Sequence, residues 1–256
     1  MMSDARMPAW LRRAVPALIA VALIGCCPLT DEGPDAATPT KAAAPATPGK
    51  AAAPAKALTP TTVPVGEWFS LFDGKTLKGW EVLKEDDFSL AGKVQVKDSA
   101  ILLGEGVPFT GIVWDDEFPK ENYEIVWEAR RVGGIDIFAS VTIPVGDAHV
   151  TFVSGGWGDS VVGLSSVDDL NASDNEWTKI MSFKNEQWYD FRIRVTPKKI
   201  EAWIDDKPVV ECERGDHKFT VYPELALTRP LGFFSWSTTG AVRNLDMRRI
   251  KPVKEM

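Results

Sequence analysis

The stretch NYEIVWEARR (122–131) sets Glu124, Glu128 and Arg130 at even spacing against Tyr123, Ile125, Trp127 and Ala129. In an extended chain that period puts the charged groups on one face and the apolar groups on the other. A carboxylate two residues from a guanidinium can accept a proton while the cation holds developing negative charge. Glu128 is therefore a candidate base and Arg130 its charge partner. The same pattern suits a cross-strand ion pair on a solvated sheet face. Asp136 follows Gly133-Gly134, placed either to touch a ligand or to cap the turn. The chain has two histidines, His149 and His217, which excludes a His-rich metal site. The aspartates at 168, 169 and 174 lack the ordered spacing of a calcium loop. No metal and no cofactor is expected.

The elements that must hold these groups are strands. Period-two alternation recurs in 122–130, 135–143, 149–153, 188–196, 199–205 and 231–236. In WYDFRIRVT, Tyr189, Phe191, Ile193 and Val195 oppose Asp190, Arg192 and Arg194. Each strand is expected to have one buried and one wet face. The breaks between them carry turn residues, as in Val132-Gly133-Gly134 and Asp205-Asp206-Lys207-Pro208. No convincing helical period is found. Many short antiparallel strands at this spacing predict an all-β, two-sheet sandwich or jelly roll over residues 65–256.

The first 64 residues read differently. Arg6, Arg12 and Arg13 precede the apolar run 14–24, too short to span a bilayer but suited to a secretory signal. Leu23-Ile24-Gly25-Cys26 has the form of a bacterial lipobox, which implies removal of residues 1–25 and lipidation of Cys26. With Cys rather than Asp at position 27, the outer membrane is the expected destination. Residues 26–64 are rich in Ala, Pro, Thr and Lys and have no aromatic residue, so they predict an extended, disordered linker. At about 3.1 Å per residue it could hold the domain up to roughly 100 Å from the lipid. The net formal charge of −7 argues against a nucleic-acid partner. Beyond Cys26 and its neighbour Cys27, Cys212 stands alone, so no disulfide framework is possible.

Four segments in order carry a resemblance. WFSLFDGKTLKGW (68–80), NYEIVWEAR (122–130), QWYDFRIRVTPKKIEAWIDDKPVVE (187–211) and RPLGFFSWSTTGAVRNLDMRRI (229–250) resemble successive motifs of the DUF1080 family of 3-keto-disaccharide hydrolases and 3-keto-glycoside lyases. The resemblance covers essentially all of 67–250. It implies a concanavalin-like jelly roll, an exported location and a saccharide or modified-saccharide ligand. Many relatives keep Glu, Gln and Asp on the strand that here reads DAHVTFVSGG, and Gln-Asp-His where this chain has Ser235-Trp236-Ser237. His149 stands where they have the Glu, which makes it a further catalytic candidate; the other reading is a half-buried polar residue.

Segment 154–178, SGGWGDSVVGLSSVDDLNASDNEWT, resembles a branch of the same family in which the acidic strand is replaced. Its glycines let the backbone turn tightly and pass close to a ligand. Ten tryptophans invite a sugar-stacking reading, because a flat ring offers its face to the C–H patch of a pyranose. Trp80, Trp127 and Trp188 are expected in the structural core. Trp157, beside Asp159, and Trp236 are candidate ligand platforms, and Asn175 and Glu176 could hydrogen-bond sugar hydroxyls. Two functions stay open: an enzyme acting on 3-keto glycosides, or a tethered glycan-binding or structural module that has lost the chemistry.

Overall fold

In a computed structural model, residues 58–84 and 90–252 are described. The signal segment, Cys26 and most of the linker therefore lie outside the described residues.

The described chain is a jelly-roll sandwich of two antiparallel sheets. The first sheet runs, in spatial order, β13 (Lys207–Glu213), β12 (Lys199–Ile204), β11 (Tyr189–Val195), β6 (Tyr123–Gly133), β15 (Thr239–Arg249), β4 (Ala100–Leu103) and β3 (Val94–Lys97), with β1 (Trp68–Ser70) also pairing β15. The second runs β10 (Lys179–Ile180), β9 (Val161–Ser165), β8 (Ala148–Gly155), β7 (Ser140–Val145), β14 (Gly232–Trp236), β5 (Phe109–Trp114) and β2 (Trp80–Val82). Between them lies the core. Trp127 of β6 stacks on Phe191 of β11 with centroids 5.1 Å apart and meets Phe233 of β14 edge-on at 5.4 Å. Trp80 meets Trp114 and Phe233 edge-on, and its indole N–H donates to the Leu71 carbonyl at 2.7 Å.

Three expectations change. First, the domain begins before residue 65: Thr59 to Val63 form a hydrogen-bonded turn, and Val63 is buried in the core. Secondly, one wet face per strand holds for β11 but not for β6, where Glu124 and Glu128 are buried, nor for β7 and β9 of the second sheet, which are buried on both faces. The outer face of that sheet is covered by the crossing segment that includes the 3₁₀ turn Pro223–Thr228; Leu225 packs on Phe109, Phe234 and Leu83 there. Burying two faces suits a strand with little polar content. Thirdly, Trp188 is not in the core. It lies on the outer face of the first sheet, with the guanidinium of Arg243 4.0 Å and that of Arg130 4.8 Å from its ring centroid.

Candidate functional site

The covering segment does not seal the second sheet. It leaves a cavity of about 490 Å³ whose floor is Thr151 and Val153 of β8, Ser165 of β9, and Phe234 and Trp236 of β14. Its walls are Asp136 and Ile137 from the loop before β7, Trp157 from the β8–β9 turn, and Tyr222, Glu224 and Leu225 from the covering segment.

The β8–β9 turn is the motif SGGWGDS. Gly156 bridges Val161, and the Ser160 N–H donates to the Gly156 carbonyl at 3.2 Å, so residues 157–160 form the tip of a hairpin. Gly156–Asp159 make a single helix-like turn in which Trp157 (φ 51°) and Gly158 (φ 81°) are left-handed. Gly155 (φ 72°) is also left-handed, and a Cβ there would sit 3.1 Å from the Phe138 ring. Left-handed backbone costs a non-glycine residue roughly 1–2 kcal/mol, so Trp157 is held in place by its surroundings. The residue is 47% exposed and lines the cavity. Asp159 anchors the tip through a 2.5 Å ion pair with buried Arg131, which also donates to the Asn185 side chain and the Phe183 carbonyl.

Trp236 is braced differently. Its ring stacks on Phe109 at 6.3 Å, and its backbone N–H donates to the Ile137 carbonyl at 2.9 Å. Asp136 lines the cavity, and its Oδ1 accepts the Ile137 N–H at 2.8 Å. Thr151 is joined to a row of buried hydroxyls, Thr151 to Thr142 at 3.1 Å and Thr142 to Thr228 at 2.6 Å. Two polar atoms at the cavity have no hydrogen-bond partner among the described residues: Ser165 Oγ, on a side chain only 3% exposed, and Glu224 Oε2. A buried polar atom left unpaired costs about 1–3 kcal/mol, so each is a place where a ligand can recover binding energy.

The remaining candidates are not at this cavity. Glu128 and Arg130 project from the outer face of the first sheet, on the far side of the core from it. Glu128 Oε2 accepts from Arg243 Nε at 2.9 Å and Nη2 at 2.7 Å, and its Oε1 accepts from Asn244 at 2.7 Å. A register shift between Arg243 and Asp246, with Asn244 at φ 50°, brings that amide round. Arg130 pairs with Glu186 at 2.7 Å. Their geometry is that of the ion pair, not of a base facing a ligand. With β6 in the first sheet, Glu128 and Arg130 do not share the cavity with Trp157.

His149 shares a strand face with Thr151 and Val153 but does not line the cavity; Thr151 is two residues, about 7 Å, further along. Burial lowers its pKa below the ordinary 6.5, and Arg229 and Lys120 push the same way. Asn175 is spent on the backbone: its amide donates to the Leu164 and Asn171 carbonyls, both at 2.8 Å, and its oxygen accepts the Trp177 N–H. It shapes the loop whose Asn171 side chain accepts the Tyr222 hydroxyl, and so reaches the cavity only indirectly. Glu176 is exposed and outside the lining. Asp168 is satisfied by His217 Nδ1 at 2.6 Å and the Lys218 N–H at 2.8 Å, and Asp169 by Lys218. Among the described residues no cluster of His, Cys, Asp or Glu is placed to hold a metal.

Sequence reasoning missed Tyr222, Glu224 and Ser165. Glu224 lies in VYPELALT, where Pro223 signals a turn but nothing signals that the turn folds over a sheet.

Residues 67–248 match the model of the 3-keto-alpha-glucoside-1,2-lyase-like domain. No curated protein sequence matches the chain. Among solved structures, a Crh5 transglycosylase in complex with NAG is similar over 72% of this chain and 85% of its own, with 15% identity and a TM-score of 0.50. A structure reported for endo-acting O-glycanases of the human gut microbiota is similar over 73% of this chain and 100% of its own, with 10% identity and a TM-score of 0.50. At these identities the likeness is one of fold.

Proposed function

The chain belongs to the 3-keto-alpha-glucoside-1,2-lyase-like family, and from that premise we propose that it binds a saccharide in the cavity over the second sheet and acts there on 3-keto glycosides. The observation that carries the reading is the cavity's lining. Trp157 and Trp236 offer apolar faces for a pyranose, while Asp136, Glu224, Thr151 and Ser165 offer groups for its hydroxyls, two of them with unpaired buried atoms. Few polar groups on an otherwise apolar concave surface are the usual make-up of a small-molecule site.

Glu224 is the base in this reading. A ketone at C3 acidifies the proton on C2; Glu224 Oε2 removes it, and the electron pair forms the enolate. Collapse of the enolate breaks the C1–O bond, and the departing oxygen takes the proton back from Glu224 or from water. Ser165 Oγ, buried and unpaired, is the donor available to the enolate oxygen. The test is loss of a 3-keto-glucoside on incubation with the full chain. Turnover by the wild type, abolished in Glu224→Gln, is expected; turnover unchanged in that variant refutes the role.

One observation favours a second reading, a glycan-binding module without turnover. Among the described residues the cavity lining contains no Lys, Arg or His, so none of them sets a fixed cation against the enolate. No turnover, together with tryptophan quenching on adding an oligosaccharide, would select it.

In either reading the domain is proposed to be exported, and tethered by a lipid on Cys26 to the outer membrane through the Ala/Pro-rich segment. The support is the order of Arg-rich flank, apolar run and Leu-Ile-Gly-Cys. Loss of detergent-phase partitioning in Cys26→Ser tests the anchor.

A further inference from the structure

The cavity's charge is one-sided. Two carboxylates, Asp136 and Glu224, line it, and among the described residues no cationic side chain does. Asp136 has one oxygen engaged by the Ile137 N–H, whereas Glu224 Oε2 is buried and unpaired. Around them stand the rings of Trp157, Tyr222 and Trp236. Aromatic faces attract a cation through their quadrupole, and carboxylates attract it through charge. A second feature marks the cavity as a ligand site without depending on the acids. Ser165 is 3% exposed and its Oγ has no partner among the described residues, so a ligand group that hydrogen-bonds there is favoured.

We infer that the ligand is a sugar bearing a free ammonium group, a hexosamine unit, preferred over the neutral sugar of the same ring and strongly over its uronate. This rests on the reading of the cavity as a saccharide-binding site and narrows its ligand class; an ammonium held on Glu224 Oε2 engages the oxygen that the elimination needs as base, so it belongs with the reading without turnover. The ammonium has three donors, enough to satisfy Glu224 Oε2 together with a second acceptor such as Asp136 or Ser165. A uronate carboxylate would be brought against two like charges with no cation to offset them, and like-charge juxtaposition costs several kcal/mol. The neutral sugar loses only the charge-assisted part.

The experiment is a titration of the full chain, read by tryptophan fluorescence, with methyl glucosaminide, methyl glucoside and methyl glucuronoside. The buffer is kept acidic enough that the hexosamine amine stays protonated. The expected order is amine, neutral, acid, with the amine ahead of the neutral sugar by about tenfold or more. Raising the pH above the amine's own pKa is expected to erase that lead. In Glu224→Gln the ratio of amine to neutral affinity is expected to fall toward one; the ratio is the readout, so a uniform loss from imperfect folding does not mimic it. A neutral glycoside that binds as well as the amine, or a glucuronoside that binds best, overturns the inference while leaving the saccharide site standing. If none of the three binds, the saccharide reading and the inference fall together.

Discussion

At the scale of single residues, the structure separates groups that carry stability from groups that wait for a ligand. Trp157 is half exposed in a left-handed backbone. Replacing it with glycine relieves roughly 1–2 kcal/mol of strain and forfeits a comparable burial of about 2 kcal/mol. Trp157→Gly is therefore expected to change the urea midpoint little while weakening saccharide binding about tenfold, and a large drop in stability with binding intact would argue that the ring is a packing residue. Glu128 is the converse. It is 5% exposed and takes three hydrogen bonds from Arg243 and Asn244. Breaking such a pair costs about 3–5 kcal/mol when fully buried; with Arg243 about a third exposed, Glu128→Gln is expected to cost about 2 kcal/mol. Denaturation and ligand titration of the same variant check both halves, since sugar affinity at a temperature where it is folded should not move. The carboxylate most visible in the sequence is thus a structural one. Alternation puts Glu128 on a polar face but carries no information about which of two sheets turns that face toward a cavity.

At the scale of elements, the β8–β9 hairpin is the device that positions Trp157. Its glycines are not equivalent. A Cβ on Gly155 meets the Phe138 ring at 3.1 Å and one on Gly156 meets Val153 at 2.9 Å, whereas one on Gly158 meets nothing within 4 Å. Gly155→Ala and Gly158→Ala share the left-handed penalty of about 1 kcal/mol, but only the first must also displace a core ring. Gly155→Ala is expected to be the more destabilising in thermal melts and to weaken sugar binding by shifting the hairpin, and equal effects would contradict this account of the turn. Much of this architecture is legible in the chain. The alternation of NYEIVWEAR, WYDFRIRVT and KIEAWID identifies β6, β11 and β12, and the glycines of SGGWGDS identify a tight turn. Strand β9 is harder, because VVGLS is buried on both faces and loses the period that marks a half-wet strand, and β7 spans Ser140–Val145 where the alternation suggested 135–143. The covering segment is illegible for a related reason. Tyr222 and Glu224 gain their meaning from a long-range fold over β14 and β5, and a 3₁₀ turn has no pattern that reports what lies beneath it.

At the scale of the whole molecule, the sandwich divides its labour between two outer faces. The first sheet carries a mesh of arginines, glutamates and tryptophans: Arg192 and Arg194 over Trp203, Arg243 and Arg130 over Trp188, Arg248 over Trp68, with buried Glu124 held by Arg194 and Arg248. The second keeps the cavity. His149, near that cavity, links the fold to pH. Burial first, then Arg229 and Lys120, lowers its pKa from the ordinary 6.5. The unfolded chain therefore takes up this proton at higher pH than the folded chain does, so this contribution to stability is complete above about 6.5 and is lost as pH falls below it. Replacing His149 with Gln is expected to flatten the decline of the urea midpoint between about pH 6.5 and 5; an unchanged slope would show that other groups set it. The central claim, that the ligand site is the cavity over the second sheet and not the charged face of the first, is tested most directly by a crystal structure of the domain soaked with a disaccharide. The account predicts a sugar ring against Trp157 and Trp236 with a hydroxyl or amine at Glu224 Oε2. A ring stacked on Trp188 or Trp203, with the cavity empty, would contradict it.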